Sequence, residues 1–81
     1  MDMETSPYYE QVARLKHPEI KDEWVERVLT SPYQVETQAD GRLRYYGYIE
    51  EEGKWLRVVV EDGILLNRFF DRGKLRRWGT P

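Results

Sequence analysis

Apolar residues recur at helical spacing in the first 30 positions of the chain and then, from Tyr33 onward, at strand spacing. Ser6-Pro7 reads as a helix start, with Ser6 as N-cap and Pro7 at the first helical position, where its missing N–H costs nothing. Tyr8, Val12 and Leu15 follow on one stripe, and Pro18 disfavours helical geometry at His17, so helix one should stop near Lys16. In "KDEWVERVL" a second stripe holds Trp24, Val25, Val28 and Leu29, with Asp22 and Glu23 in the first turn where the helix dipole favours anions. Pro32 ends that helix. Four strand-like runs come next: "YQVETQ", "LRYYGYIE", "KWLRVVVE" and "ILLNRFF". The turns between them are "ADGR", "EEG" and "DG", and Asp62-Gly63 is the strongest of these, because a two-residue I′ loop needs positive φ at both positions. The pattern predicts an α+β fold in which two N-terminal helices pack on one face of a four-stranded antiparallel β-meander.

Register decides which side chains share a face. If Glu61 opposes Ile64, then Leu56, Val58 and Val60 lie with Leu65, Asn67 and Phe69 beneath the helices. Trp55, Arg57 and Val59 then share the other face with Ile64, Leu66, Arg68 and Phe70, and a turn pairing Ile49 with Trp55 adds Leu43, Tyr45, Gly47 and Ile49 to it. This register sets Arg57 directly opposite Arg68. Like charges so placed repel unless a carboxylate such as Asp71 or Glu36, or a bound anion, lies with them.

Length and composition narrow the picture. The 81 residues suit one domain, with a core over about 7–72 and a basic tail, "GKLRRWGTP", at 73–81 that lacks a periodic apolar face. Three Trp and six Tyr supply large rings for a small core. With no cysteine, disulfides and thiolate chemistry are excluded. The acidic N-terminus has no signal-peptide pattern and no apolar run reaches the roughly 20 residues of a membrane helix, which reads as a cytoplasmic chain without membrane contact. The net charge of −2 is unevenly spread: residues 1–40 hold four Lys/Arg against nine Asp/Glu, and residues 41–81 hold nine against six. The strands and tail therefore carry the positive charge, as a phosphate-contacting surface or as a solvated face with ion pairs.

Candidate chemistry is sparse. No glycine loop opens a helix, the single His17 cannot build a metal site, and the "EEE" run at 50–52 reads as a solvated turn, so neither metal nor cofactor is expected. RNA cleavage needs only a proton acceptor, a proton donor and cations for the developing phosphorane charge, because the 2′-hydroxyl is the nucleophile. For that chemistry His17 is the acid/base candidate; its alternative is to cap the end of helix one. Arg57 and Arg68 are the candidate charge-stabilising groups. Arg42, Asn67 and Arg72 are candidates for positioning phosphate or RNA, and Tyr45 and Trp55 for stacking on bases. Each has a structural alternative: a turn ion pair for Arg42, helix-two carbonyls for Asn67, a strand-ending pair with Asp71 for Arg72, and core or rim packing for the rings.

The order helix, "HPEI", "EWVERVL", "DGRLRYYGYI", "LRVVVEDG", "NRFFDR" resembles a family of small bacterial proteins related to the RelE/BrnT-type toxins, in the wider barnase, EndoU, colicin and RelE nuclease-like superfamily. The resemblance spans about residues 8–72. It implies an N-terminal helical segment on an antiparallel sheet, RNA cleavage without metal, and neutralisation by a partner antitoxin. His17, Arg42, Arg57, Asn67, Asp71 and Arg72 are the positions it offers for a site. The alternative function is a non-catalytic interaction module of the same fold, its partner covering the aromatic and arginine-bearing sheet face.

Overall fold

The computed structural model describes residues 3–81. Its architecture is α+β: one four-stranded antiparallel sheet with helices on both faces. Ser6 begins the first helical segment as its composition suggests, its Oγ accepting the Tyr9 N–H at 3.1 Å. A π-helical turn, Tyr9–Ala13, runs into one α-helical turn, α1 (Arg14–Lys16). The chain leaves helical geometry at His17, one residue before Pro18. The wide turn changes the buried stripe. Tyr9 and Ala13 face the core, whereas the expected Tyr8 and Leu15 are exposed. Helix α2 (Asp22–Thr30) buries Trp24, Val25 and Val28 and ends before Pro32.

Strands β1 (Gln34–Thr37), β2 (Leu43–Ile49), β3 (Lys54–Glu61) and β4 (Ile64–Phe70) form the sheet in sequence order. Asp62 and Gly63 take φ of 52° and 75°, the conformation their turn requires. Residues 4–6 extend the sheet beyond β4. Thr5 bridges Leu65 in parallel, the Leu65 N–H donates to the Glu4 carbonyl, and the Ser6 N–H donates to the Leu65 carbonyl, both at 2.9 Å.

The core lies between the sheet and the N-terminal helices, where Tyr9, Ala13, Val25 and Val28 meet Ile49, Leu56, Val58, Val60 and Leu65. Gly47 is where α2 comes closest to the sheet; a Cβ there would stand 2.7 Å from Val28 Cγ2.

Two registers differ from expectation. Ile49 pairs with Lys54, not Trp55, because the β2–β3 turn takes four residues. This one-residue change turns all of β2 over, since successive side chains alternate. Leu43, Tyr45, Gly47 and Ile49 belong to the helix-covered face, and Arg44, Tyr46 and Tyr48 to the other. In β4, Glu61 opposes Ile64 as expected and Val60 opposes Leu65, but Val59 then opposes Asn67 and Val58 opposes Arg68. A bulge inserts Leu66, and every later side chain changes face. Arg68 and Phe70 thus turn toward the helices while Asn67 and Phe69 turn away, so the expected opposition of Arg57 and Arg68 does not occur.

The segment expected to be a tail folds as α3 (Arg72–Trp78) on the second face, with the Asp71 carboxylate accepting the Lys74 N–H at 3.2 Å as its cap. Trp78 packs edge-on to Tyr46 and Trp55, with ring centroids 5.2 and 5.0 Å away. Lys74 is only 5% exposed; its Nζ lies 3.2 Å from Glu36 Oε2 and 4.4 Å from the Trp78 centroid. Lys74 and Trp78, one turn apart, are the packing stripe. Reading lysine as purely polar hides it, because the aliphatic stem buries like a hydrophobe.

Candidate functional site

α3 covers the end of the second sheet face that holds Trp55 and Tyr46. The other end is open, forming a cavity of about 570 Å³ whose lining includes Arg42, Arg44, Arg57, Val59, Leu66, Asn67 and Phe69, and also Tyr8 and Asp40. β2 supplies Arg44, β3 supplies Arg57 and Val59, and the bulge in β4 presents Leu66 and Asn67 together. Asn67 spends its amide oxygen on the backbone: Oδ1 accepts the Arg68 N–H at 2.9 Å, satisfying a group near the irregularity in the ladder. Its amide nitrogen has no hydrogen-bond partner among the described residues.

The three arginines of the cavity differ in their commitments. The Arg42 Nε lies 3.7 Å from Asp40 and 3.8 Å from Glu61, and its backbone N–H donates to Asp40, so it belongs to the turn. Arg57 stacks its guanidinium 4.2 Å above the Phe69 ring, with Nε 3.6 Å from Asp71 Oδ2. That Nε is buried and makes no hydrogen bond. Arg44 has no ion-pair partner among the described residues. The site is therefore an apolar floor with one cation that has no ion-pair partner, Arg44, and one, Arg57, that is stacked on Phe69 and close to Asp71. Arg44 was not among the residues singled out from sequence; the β2 register alone hides it.

Other expected site residues lie elsewhere. Arg68 is 2% exposed, on the opposite face of the sheet. Its guanidinium donates to the carbonyls of Ala13, His17 and Ile20 and sits over the Tyr9 ring, closing the end of α1. It cannot meet a ligand on the open face, although its bond to the His17 carbonyl holds that residue against β4. Trp55 is 1% exposed, and its indole N–H donates to the Gly79 carbonyl at 2.8 Å. Tyr45 packs against the core. Trp55 is closed off from solvent, and Tyr45 is half-buried on the helix-covered face, away from the open cavity.

His17 is half-exposed at the end of α1, its Nδ1 3.2 Å from Glu19 Oε2. The Glu19 carboxyl is held below its ordinary range by its own backbone amide and, to a smaller extent, by His17. His17 and Arg72 line a second, smaller cavity of about 280 Å³ along β4, together with Lys16, Glu19, Lys54 and Phe70. Tyr8, Asn67 and Phe69 line both cavities, so the two adjoin.

No described helix is long and apolar enough to cross a membrane. No family model, curated protein or solved structure matches the chain.

Proposed function

We propose that the chain binds single-stranded RNA on the open end of its sheet. The observation that carries this reading is the convergence of unpaired Arg44 and Phe69-stacked Arg57 over an apolar cavity floor. Single strands are held by cations along the backbone and by aromatic or guanidinium planes beneath unstacked bases, and this cavity offers both. The resemblance to RelE/BrnT-type toxins supports RNA as the polyanion. Fluorescence anisotropy with a short labelled RNA in chelator tests it: saturable binding that weakens about tenfold in Arg44→Gln supports the reading, since losing one charged contact removes roughly 1–2 kcal/mol. Equal binding by the variant refutes it.

A second reading, metal-independent cleavage, is favoured by the adjoining cavity, which sets His17 beside the same Asn67 and Phe69. In that reading His17 accepts the 2′-hydroxyl proton, the 2′-oxygen bonds to phosphorus as the bond to the 5′-oxygen breaks and that oxygen takes a proton from water, and Arg57 stabilises the phosphorane charge. Arg68 takes no part except to position His17. A 2′,3′-cyclic phosphate product in chelator, lost in His17→Ala, together with growth arrest on expression, supports it; intact RNA and normal growth exclude it. A protein partner on the aromatic face is less favoured, because α3 already covers Trp55 and Tyr46.

A further inference from the structure

We infer that the smaller cavity along β4 is a phosphate-monoester site, so that the RNA recognised here ends in a terminal phosphate; this rests on the RNA-binding reading above. Three cationic side chains, Lys16, Lys54 and Arg72, line that cavity from three separate parts of the fold. None has an ion-pair partner among the described residues. Glu19, the one carboxylate in the lining, is engaged with His17.

The convergence is unfavourable for an apo protein, because like charges around one concavity repel, although exposure to water screens the three side chains in part. It runs against the composition as well, since the chain as a whole is acidic, at −2. An anion within the cavity removes the repulsion. A phosphate monoester carries a charge of about −1.5 to −2 at neutral pH and three acceptor oxygens, matching three donors better than a singly charged diester does. The open cavity, with Arg44 and Arg57, has the charge for the diesters of the strand. Asn67 and Phe69, shared by both cavities, join the two. The terminal phosphate thus anchors the strand and sets which nucleotides reach the open face.

The test compares three short RNAs of one sequence in chelator: 5′-phosphorylated, 3′-phosphorylated, and hydroxyl at both ends. One phosphorylated form is expected to bind about tenfold tighter than the hydroxyl-ended RNA, a gain of about 1.4 kcal/mol. Which form gains identifies the end. The double variant Lys16→Gln, Lys54→Gln should reduce the gain to near unity while leaving hydroxyl-ended RNA bound as before, and Arg44→Gln should weaken all three alike. Equal affinity of the three RNAs overturns the inference and leaves RNA binding standing. If no RNA binds, the function proposed above fails. Inorganic phosphate followed by amide NMR shifts then judges the cavity alone: shifts at Lys54 and Arg72, absent in the double variant, keep a monoester site, and their absence overturns it.

Discussion

Arg68 shows how a residue's role follows from the face it occupies. In the sequence it is one of several arginines on basic strands; in the fold it is a buried cation without a carboxylate, its two terminal nitrogens donating to three carbonyls around the end of α1 while its Nε has no partner. Replacing it with leucine strands those carbonyls and frees the residues around His17. Arg68→Leu is expected to cost about 3 kcal/mol, from lost charged hydrogen bonds and unpaired buried acceptors, and to lower Tm by roughly 12–24 °C in calorimetry. A change of a degree or two would show that the helix end holds itself. The exposed counterpart is Arg27, whose guanidinium grips Glu51 in the β2–β3 turn through two bonds of 3.0 and 2.9 Å. First through that bond, then through its own backbone amide, the Glu51 carboxyl is lowered to about 2. A carboxyl lowered by folding contributes stability that is complete above its unfolded pKa, near 4.5, and is lost as pH falls toward 2. An NMR titration should find the Glu51 midpoint near 2 and return it toward the ordinary carboxylate range in Arg27→Ala.

At the scale of elements, strand boundaries and the Asp62-Gly63 turn were legible from alternation and turn chemistry, and so was α2. Faces were not, because each depends on a single residue: the length of one turn and the insertion of Leu66 in β4. Alternation cannot reveal that insertion, since Leu65 and Leu66 are both apolar and either suits the core side. Of the candidate site, Arg57 and Asn67 were identified and reach the open cavity, Arg42 reaches it tied to its turn, and Arg44 was hidden by the β2 register. α3 was missed because a lysine forms half of its buried stripe. Two substitutions test how the layers depend on these details. Gly47→Ala places a methyl group against Val28 and should destabilise by about 1–3 kcal/mol, read as a lower denaturant midpoint with unchanged slope. Trp78→Ala removes the ring wedged against Tyr46 and Trp55 and should cost about 3 kcal/mol or more, with increased Trp55 solvent exposure in fluorescence. Unaltered stability in the second case would mean that the sheet face holds without its cover.

On the scale of the whole molecule, an acidic chain leaves Arg44 on the open sheet end, and Lys16, Lys54 and Arg72 around the adjoining β4 cavity, without ion-pair partners among the described residues. Binding should then be local and modest in its salt response. If about two phosphates are neutralised, the logarithm of the RNA association constant should fall against that of salt with a slope of about −1.4, and Arg44→Gln should reduce the slope by about 0.7. A slope several times steeper would require a wider basic surface than these residues supply. The tie between Arg68 and the helix end also has a temporal side. Its bond to Ala13 spans 55 positions, and Thr5 bridges Leu65 across a similar interval. Contacts so distant in sequence form only after the intervening chain is ordered, which slows folding. During synthesis the first helix emerges with neither partner made, and a helix this short is marginal alone in water. The first helix is therefore secured only once β4 has left the ribosome.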